Sequence, residues 1–283
     1  MTLSLLVTGA TGFTGRRVVR ALVADGHRVT AFVRPSSDRT SLPADVNVAV
    51  GDLGSPETLR KALHGLDALV NVASLGFGHA KGIVAAARAA GIGRSVFVGT
   101  TAVRTSLPAP SRAVRLEAER FVLEGAIGAT LLRPTMIYGA PGDRNLERLI
   151  RCVRRWPVIP VPGDGQGLQQ PVHVEDVARA IVDVVPRGDL AGRAFDIPGP
   201  TALTFDAIVR TVAVVLGRRR PLVHVPALLA RVVASREQIA RLAEDKSCDP
   251  GPAARAFGHA PRSFDAGIRE EARALGLIDE VAP

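Results

Sequence analysis

Short apolar runs and helically spaced apolar stripes take turns along the first half of the chain. Leu3 to Thr8 reads as a buried strand, and beyond Gly15 the residues Val18, Val19, Leu22 and Val23 fall at helical spacing. Arg28 to Val33 alternates as a second strand does, and Val46 to Val50 forms a third. A helix from about Pro56 to Leu63 follows, then a strand over Asp67 to Ala73, a helix over Ala80 to Ala90 and a strand over Ser95 to Gly99. A helix from about Ala113 to Leu123 leads to the strand Ala129 to Leu132. Strands alternating with helices predict an α/β fold whose parallel sheet is covered on both faces. Ligands of such sheets lie beyond the carboxyl ends of the strands.

The pattern changes after Arg133, where Pro134 and Gly139 interrupt it. An arginine-rich helix is predicted over 143 to 155, and turns rich in proline and glycine over 156 to 168. Glu175 and Asp176 open another helix, with acids at its positive end. A strand at Ala194 to Ile197, a helix begun by Thr204 and reaching about Leu216, and several C-terminal helical segments complete the chain. No internal repeat is present.

Chemistry enters at the first strand-to-helix connection, which holds Gly9, Gly12 and Gly15 in the spacing GxxGxxG. The first glycine permits a tight turn, the second lets a ligand approach the backbone, and the third lets the helix pack on the strand. Amides at that helix start then face a pyrophosphate. The second strand runs into Arg34, with Arg39 beyond it and Arg16 on the first helix. No acid stands where an NAD-specific fold binds the ribose 2′-hydroxyl, so NADP is the expected cofactor and NAD the alternative. Asp52, at the end of the third strand, can accept a hydrogen bond from an adenine amino group or serve as a turn residue.

Composition narrows the class. With 283 residues, 47% of them hydrophobic, the chain can bury a sizeable core. No apolar stretch approaches the roughly 20 residues of a membrane span, and Met1-Thr2 runs straight into the first strand, so a cytoplasmic protein is expected. Cys152 and Cys248 stand apart, in no metal or redox spacing, and no metal site is predicted. The net charge of +9 raises nucleic acid as a partner. Arginine supplies most of it, only Lys61, Lys81 and Lys246 being lysine, and the clusters Arg154-Arg155 and Arg218-Arg219-Arg220 lack interleaved aromatics. They read first as solvated helix faces and second as a basic pocket for a phosphorylated cofactor or an acidic substrate, so a small-molecule substrate, without nucleic acid or membrane, is the expected partner.

Five motifs occur in order: Gly9-Ala10-Thr11-Gly12-Phe13-Thr14-Gly15, Gly51-Asp52-Leu53, Leu132-Arg133-Pro134-Thr135, Pro171-Val172-His173-Val174-Glu175-Asp176-Val177-Ala178 and Ile197-Pro198-Gly199-Pro200. Together they resemble the NAD-dependent epimerase/dehydratase group, the extended and atypical short-chain dehydrogenases/reductases, over nearly the whole chain. The resemblance implies a doubly wound Rossmann-type core over 1–140. A smaller, mostly helical part over 141–283 covers the substrate, with 169–200 returning to the core. It also implies positions for the cofactor. Gly9, Thr11, Gly12, Phe13, Thr14 and Gly15 line the pyrophosphate, Asp52 and Leu53 the adenine, and Ala73 and Ser74 the ribose and nicotinamide side. Pro134 and Met136 approach the carboxamide. A homodimer is plausible by the same likeness.

Departure comes at the catalytic motif. Active relatives carry Tyr-x-x-x-Lys on the helix after the fifth strand, and the matching places here hold Ser111 and Arg115. Serine has a far higher pKa than a phenol, and arginine stays protonated. Arg115 can still bind the cofactor ribose, and Thr101 matches the residue that hydrogen-bonds a substrate oxygen. His79, in the loop after the fourth strand, and Tyr138, the only tyrosine, are the candidate replacement acid–base groups. His173 and Lys81 read as structural and solvated. Three readings remain open: an NAD(P)-dependent oxidoreductase or epimerase acting on a sugar or secondary-metabolite carbonyl, a non-catalytic NADP-binding sensor or assembly protein, and a non-redox isomerase or cyclase that keeps its cofactor.

Overall fold

The computed structural model describes residues 1–143, 145–226 and 236–279. In chain order the core elements are β1 (Ser4–Thr8), α1 (Gly15–Ala24), β2 (Arg28–Val33), β3 (Asn47–Val50), α2 (Pro56–Leu63), β4 (Ala68–Asn71), α3 (Ala80–Ala89), β5 (Ser95–Val98), α4 (Ser111–Glu124) and β6 (Ala129–Pro134). There follow β7 (Ile137–Tyr138), α5 (Glu147–Arg155), β8 (Ile159–Pro162), β9 (Leu168–Gln169), β10 (Val172–His173), α6 (Val174–Val184) and β11 (Ala194–Ile197). The last are β12 (Leu203–Thr204), α7 (Phe205–Val215), β13 (Leu222–Val225), α8 (Arg236–Ala243), α9 (Gly251–Phe257) and α10 (Phe264–Ala274).

Seven strands form one parallel sheet in the order β11-β6-β5-β4-β1-β2-β3. From β1 the chain winds outward through β2 and β3, then returns to β4 on the other side. Winding therefore reverses between β1 and β4, the place where an open α/β sheet leaves a crevice at its carboxyl edge. Thr8 lies opposite Asn71 in that register, so both strands end level at the crevice.

Alternation along β1 explains why its whole run is apolar. Leu5 and Val7 face a core shared with α1 and α6, while Leu6 faces the opposite core under α2, α3 and α4. Both faces are covered, so neither set can be polar. A third core lies among α5, α7 and α10, built on Ile150, Val153, Ile208, Val212 and Ile268. The strand at Ala194–Ile197 joins the large sheet beside β6, and α6 packs against α1.

Local chemistry moves some predicted boundaries. The helix expected from 143 begins at Glu147, because the Asp143 carboxylate accepts the N–H groups of Asn145 (2.6 Å) and Leu146 (2.8 Å) and holds a turn ahead of it. The helix expected from Ala113 begins at Ser111. Arg218 to Arg220 lie beyond α7 and not on a helix face. Arg220 donates to the carbonyls of Val153 (2.9 Å) and Arg154 (3.1 Å), closing the C-terminus of α5. No described helix is long and apolar enough to cross a membrane, and no group of described residues has the makings of a metal site.

Candidate active site

The glycine turn is built as a cradle. Gly9 has φ +67°, and a Cβ there would stand 2.8 Å from the Ala73 nitrogen. A Cβ on Gly15 would lie 1.9 Å from the Gly9 carbonyl oxygen, so α1 can approach β1 only with glycine at that position. Gly12 N–H closes on Gly9 C=O at 3.0 Å, and the next N–H to reach a carbonyl is that of Arg16, at 3.1 Å from Gly12. The N–H groups of Phe13, Thr14 and Gly15 thus have no carbonyl partner among the described residues. The first turn of α1 carries no acidic side chain, so its positive end is uncompensated. These groups fit a dinucleotide pyrophosphate.

From this turn a cleft of about 1360 Å³ runs across the carboxyl ends of the strands into the C-terminal part. It is lined by Thr11, Gly12, Phe13 and Thr14, by Thr101, Ser111, Arg115 and Met136, and, from the C-terminal part, by apolar Leu149, Trp156 and Phe205 together with charged Asp143, Arg148, Arg241 and Lys246. Thr101 opens a 3₁₀ turn after β5, and its hydroxyl is within 3.4 Å of the Pro134 carbonyl. Ser111 begins α4, and Arg115 follows one helical turn later. Beside Arg115 a small recess of about 180 Å³ is lined by Thr14, Ser74 and Glu119. The Arg115 Nε is buried there without a hydrogen-bond partner, a donor held ready for a polar ligand atom. Glu119 is neutralised by Arg133 at 2.8 Å.

The other predicted cofactor residues occupy the same edge. Arg34 is exposed directly after β2. Asp52 is exposed after β3, with one carboxylate oxygen accepting the Gly54 N–H (2.7 Å), and Leu53 packs against the second core. Ala73 backs onto the glycine turn, Ser74 accepts from Gly76 N–H (3.2 Å), and Pro134 contributes its carbonyl from the end of β6.

Two acid–base candidates are displaced from the cleft. Tyr138 is wholly buried in the third core between His173 and Phe264, with ring centroids 5.4 and 5.3 Å away, and burial pushes its phenol pKa upward. It lines neither the cleft nor the recess, because β7 turns its side chain toward α10. His79 stands at the start of α3 beside Gly54 and Asp52, at the adenine end of the edge, and lines neither cavity. The loop after β4 carries it there because α3 must pack on α2. His173 is also buried. Its Nδ1 accepts the Glu175 N–H (3.3 Å) to cap α6, and desolvation lowers its pKa to about 4.

Two groups near the site escaped the sequence reading. The Thr8 hydroxyl donates to Asn71 (2.7 Å), whose amide donates to the Ala73 carbonyl (2.9 Å), so the ends of β1 and β4 are tied beneath the glycine turn. Polar residues closing two apolar strands were the available signal. Asp143, which lines the cleft, lies close to Glu271 of α10, whose carboxyl is fully buried. Desolvation, with the negative charges of Asp143 and Glu147 beside it, raises the Glu271 pKa to about 8. No local pattern links positions so far apart.

Comparison with known proteins agrees with this geometry. The family model described as NAD(P)H-binding matches residues 9–187. A ceramide reductase of Caulobacter vibrioides is 32% identical over 233 residues, covering 78% of this chain and 73% of that one. A 2-alkyl-3-oxoalkanoate reductase of Stenotrophomonas maltophilia is 27% identical over 324 residues, covering 94% and 98%. A nucleoside-diphosphate-sugar epimerase from Pseudomonas aeruginosa shares the fold, with a TM-score of 0.81 at 19% identity over 99% of this chain and 100% of that one. With its glycine cradle at the switch point of the sheet, the chain belongs to the NAD(P)H-binding family and is an enzyme of the NAD(P)-dependent type.

Proposed function

We propose that the protein is an NADPH-dependent reductase of a small-molecule ketone. The observation that carries this reading is one large cleft that brings the glycine cradle, Thr101, Ser111 and Arg115 together with the apolar side chains of Leu149, Trp156 and Phe205. The reductase names of the two curated relatives support reduction as the reaction.

Reduced nicotinamide, when bound, supplies a hydride to the carbonyl carbon. Thr101 and Ser111 donate hydrogen bonds to the carbonyl oxygen and stabilise the negative charge that develops on it. Neither hydroxyl is acidic enough to be a conventional general acid, so solvent reaching the open cleft supplies the proton that completes the alcohol. Arg115 holds the nicotinamide-side ribose through its unpartnered Nε, and its fixed charge adds to the stabilisation of the oxyanion. Arg34 takes the 2′-phosphate.

The test is NADPH and NADH oxidation against a panel of ketones, with Thr101→Val and Ser111→Ala alongside the wild type. Loss of one oxyanion donor lowers kcat by roughly 10²-fold where that donor dominates. Variants that both turn over at the wild-type rate would overturn the assignment, and preferential use of NADH would overturn the role of Arg34.

A further inference from the structure

Helix α5 carries two apolar stripes, and only one of them is fully buried in the third core. Leu146 just before it, with Ile150 and Val153, is buried in the third core. One step around the helix, Leu149, Cys152 and Trp156 follow at i, i+3 and i+7 and line the cleft. Leu149 bridges the two stripes, while Trp156 at the helix end is 36% exposed. Phe205 and Ile208, at the start of α7, line the same volume.

Charged side chains, among them Arg148 and Lys246, line the cleft beside this stripe, and several of the polar ones are held by the protein itself. The Gln169 amide donates to Glu244 C=O (3.0 Å) and the Gln170 amide to Gly199 C=O (2.8 Å). The Glu244 carboxylate accepts from Thr105 (2.7 Å) and from the Ser106 N–H (2.7 Å). At about 1360 Å³ the cleft exceeds the roughly 300–1,000 Å³ that encloses one drug-sized ligand, so the nicotinamide half of the cofactor leaves space for an extended substrate.

We propose that the substrate is a ketone bearing a linear hydrocarbon tail, its carbonyl at Thr101 and its tail laid along Leu149, Cys152 and Trp156 toward the start of α7. This rests on the reductase reading above and adds the substrate class. Hydrocarbon is the chemistry that an apolar stripe left partly open to a cleft recognises, because each buried methylene adds affinity without needing a polar partner.

Two measurements test it, and one needs no turnover. Trp156 is the only tryptophan in the chain, so its emission reports on the channel directly. With NADP⁺ present as the unreactive cofactor, 2-decanone should shift that emission to shorter wavelength and 2-butanone should not. In the NADPH assay, kcat/KM should climb from 2-butanone to 2-decanone by up to about fourfold per methylene. Leu149→Asn should lower it at least tenfold more for 2-decanone than for 2-butanone. An emission change without reduction of any ketone would keep the channel and overturn the reductase reading. Reduction at the same kcat/KM for every chain length, or emission that answers both ketones equally, would overturn the channel and keep the reductase reading. Failure of both measurements would sink both proposals.

Discussion

Replacing Glu271 with glutamine should stabilise the protein, and by more the higher the pH. The side chain is fully buried on α10, close to Asp143 and Glu147, and its folded pKa is about 8 against an ordinary value of 4.5. A raised carboxyl pKa means that the folded chain keeps a proton which the unfolded chain releases. Its contribution to stability is fully present below pH 4.5 and is lost as pH rises toward about 8. At about 1.4 kcal/mol per pH unit, the loss by pH 7 is roughly 3 kcal/mol. That is a large part of the 5–15 kcal/mol of a typical fold. Glutamine keeps the shape, cannot ionise, and offers an N–H to the Asp143 carboxylate. Urea unfolding followed by circular dichroism at several values between about pH 5 and pH 8 measures the effect. The variant-minus-wild-type difference should widen by roughly 3 kcal/mol from about pH 5 to pH 7. Exposed pairs such as Glu57 with Arg60 titrate alike in both proteins and cancel. Parallel curves would refute the reasoning, because they would mean that folding leaves the ionisation of Glu271 unchanged.

Other outcomes follow from the site. Gly15→Ala puts a methyl group 1.9 Å from the Gly9 carbonyl oxygen, which forces the turn open. Calorimetry should show NADPH binding weakened at least about tenfold, with about 1–3 kcal/mol of stability lost to overpacking; undiminished binding would count against the cradle. Arg34→Glu should reduce the NADPH-to-NADH affinity ratio by about tenfold or more, as expected for a lost charge-assisted contact, and an unchanged ratio in paired titrations would remove Arg34 from the 2′-phosphate site. Tyr138→Phe should keep kcat within about twofold and cost under about 1 kcal/mol, because its hydroxyl makes only a long 3.5 Å contact with the Phe264 carbonyl. A large fall in kcat with stability intact would return Tyr138 to the catalytic machinery.

Sequence by itself determined the elements whose causes are local. The apolar run of β1, the stripe of α1 and the three glycines between them specify a strand, a turn and a helix through sterics and periodicity alone. They announced a bound dinucleotide before any fold was known. The place of Arg34 at the end of β2 was equally legible, since it follows from the strand reading. The replacement acid–base groups were not. Tyr138 and His79 have suitable chemistry and stand near strand ends, yet β7 turns the phenol into the core shared with α10, and the packing of α3 on α2 carries the imidazole to the adenine end. Glu271 acquired its raised pKa because the packing of α10 buries its carboxyl, beside Asp143. Periodicity marked α5 as a helix, but which of its two apolar stripes would be buried depended on where α7 came to rest. Local sterics and hydrogen bonding act over a few residues and are written in the chain, whereas solvent exposure and electrostatic environment are set by segments distant in sequence and exist only once the fold has closed.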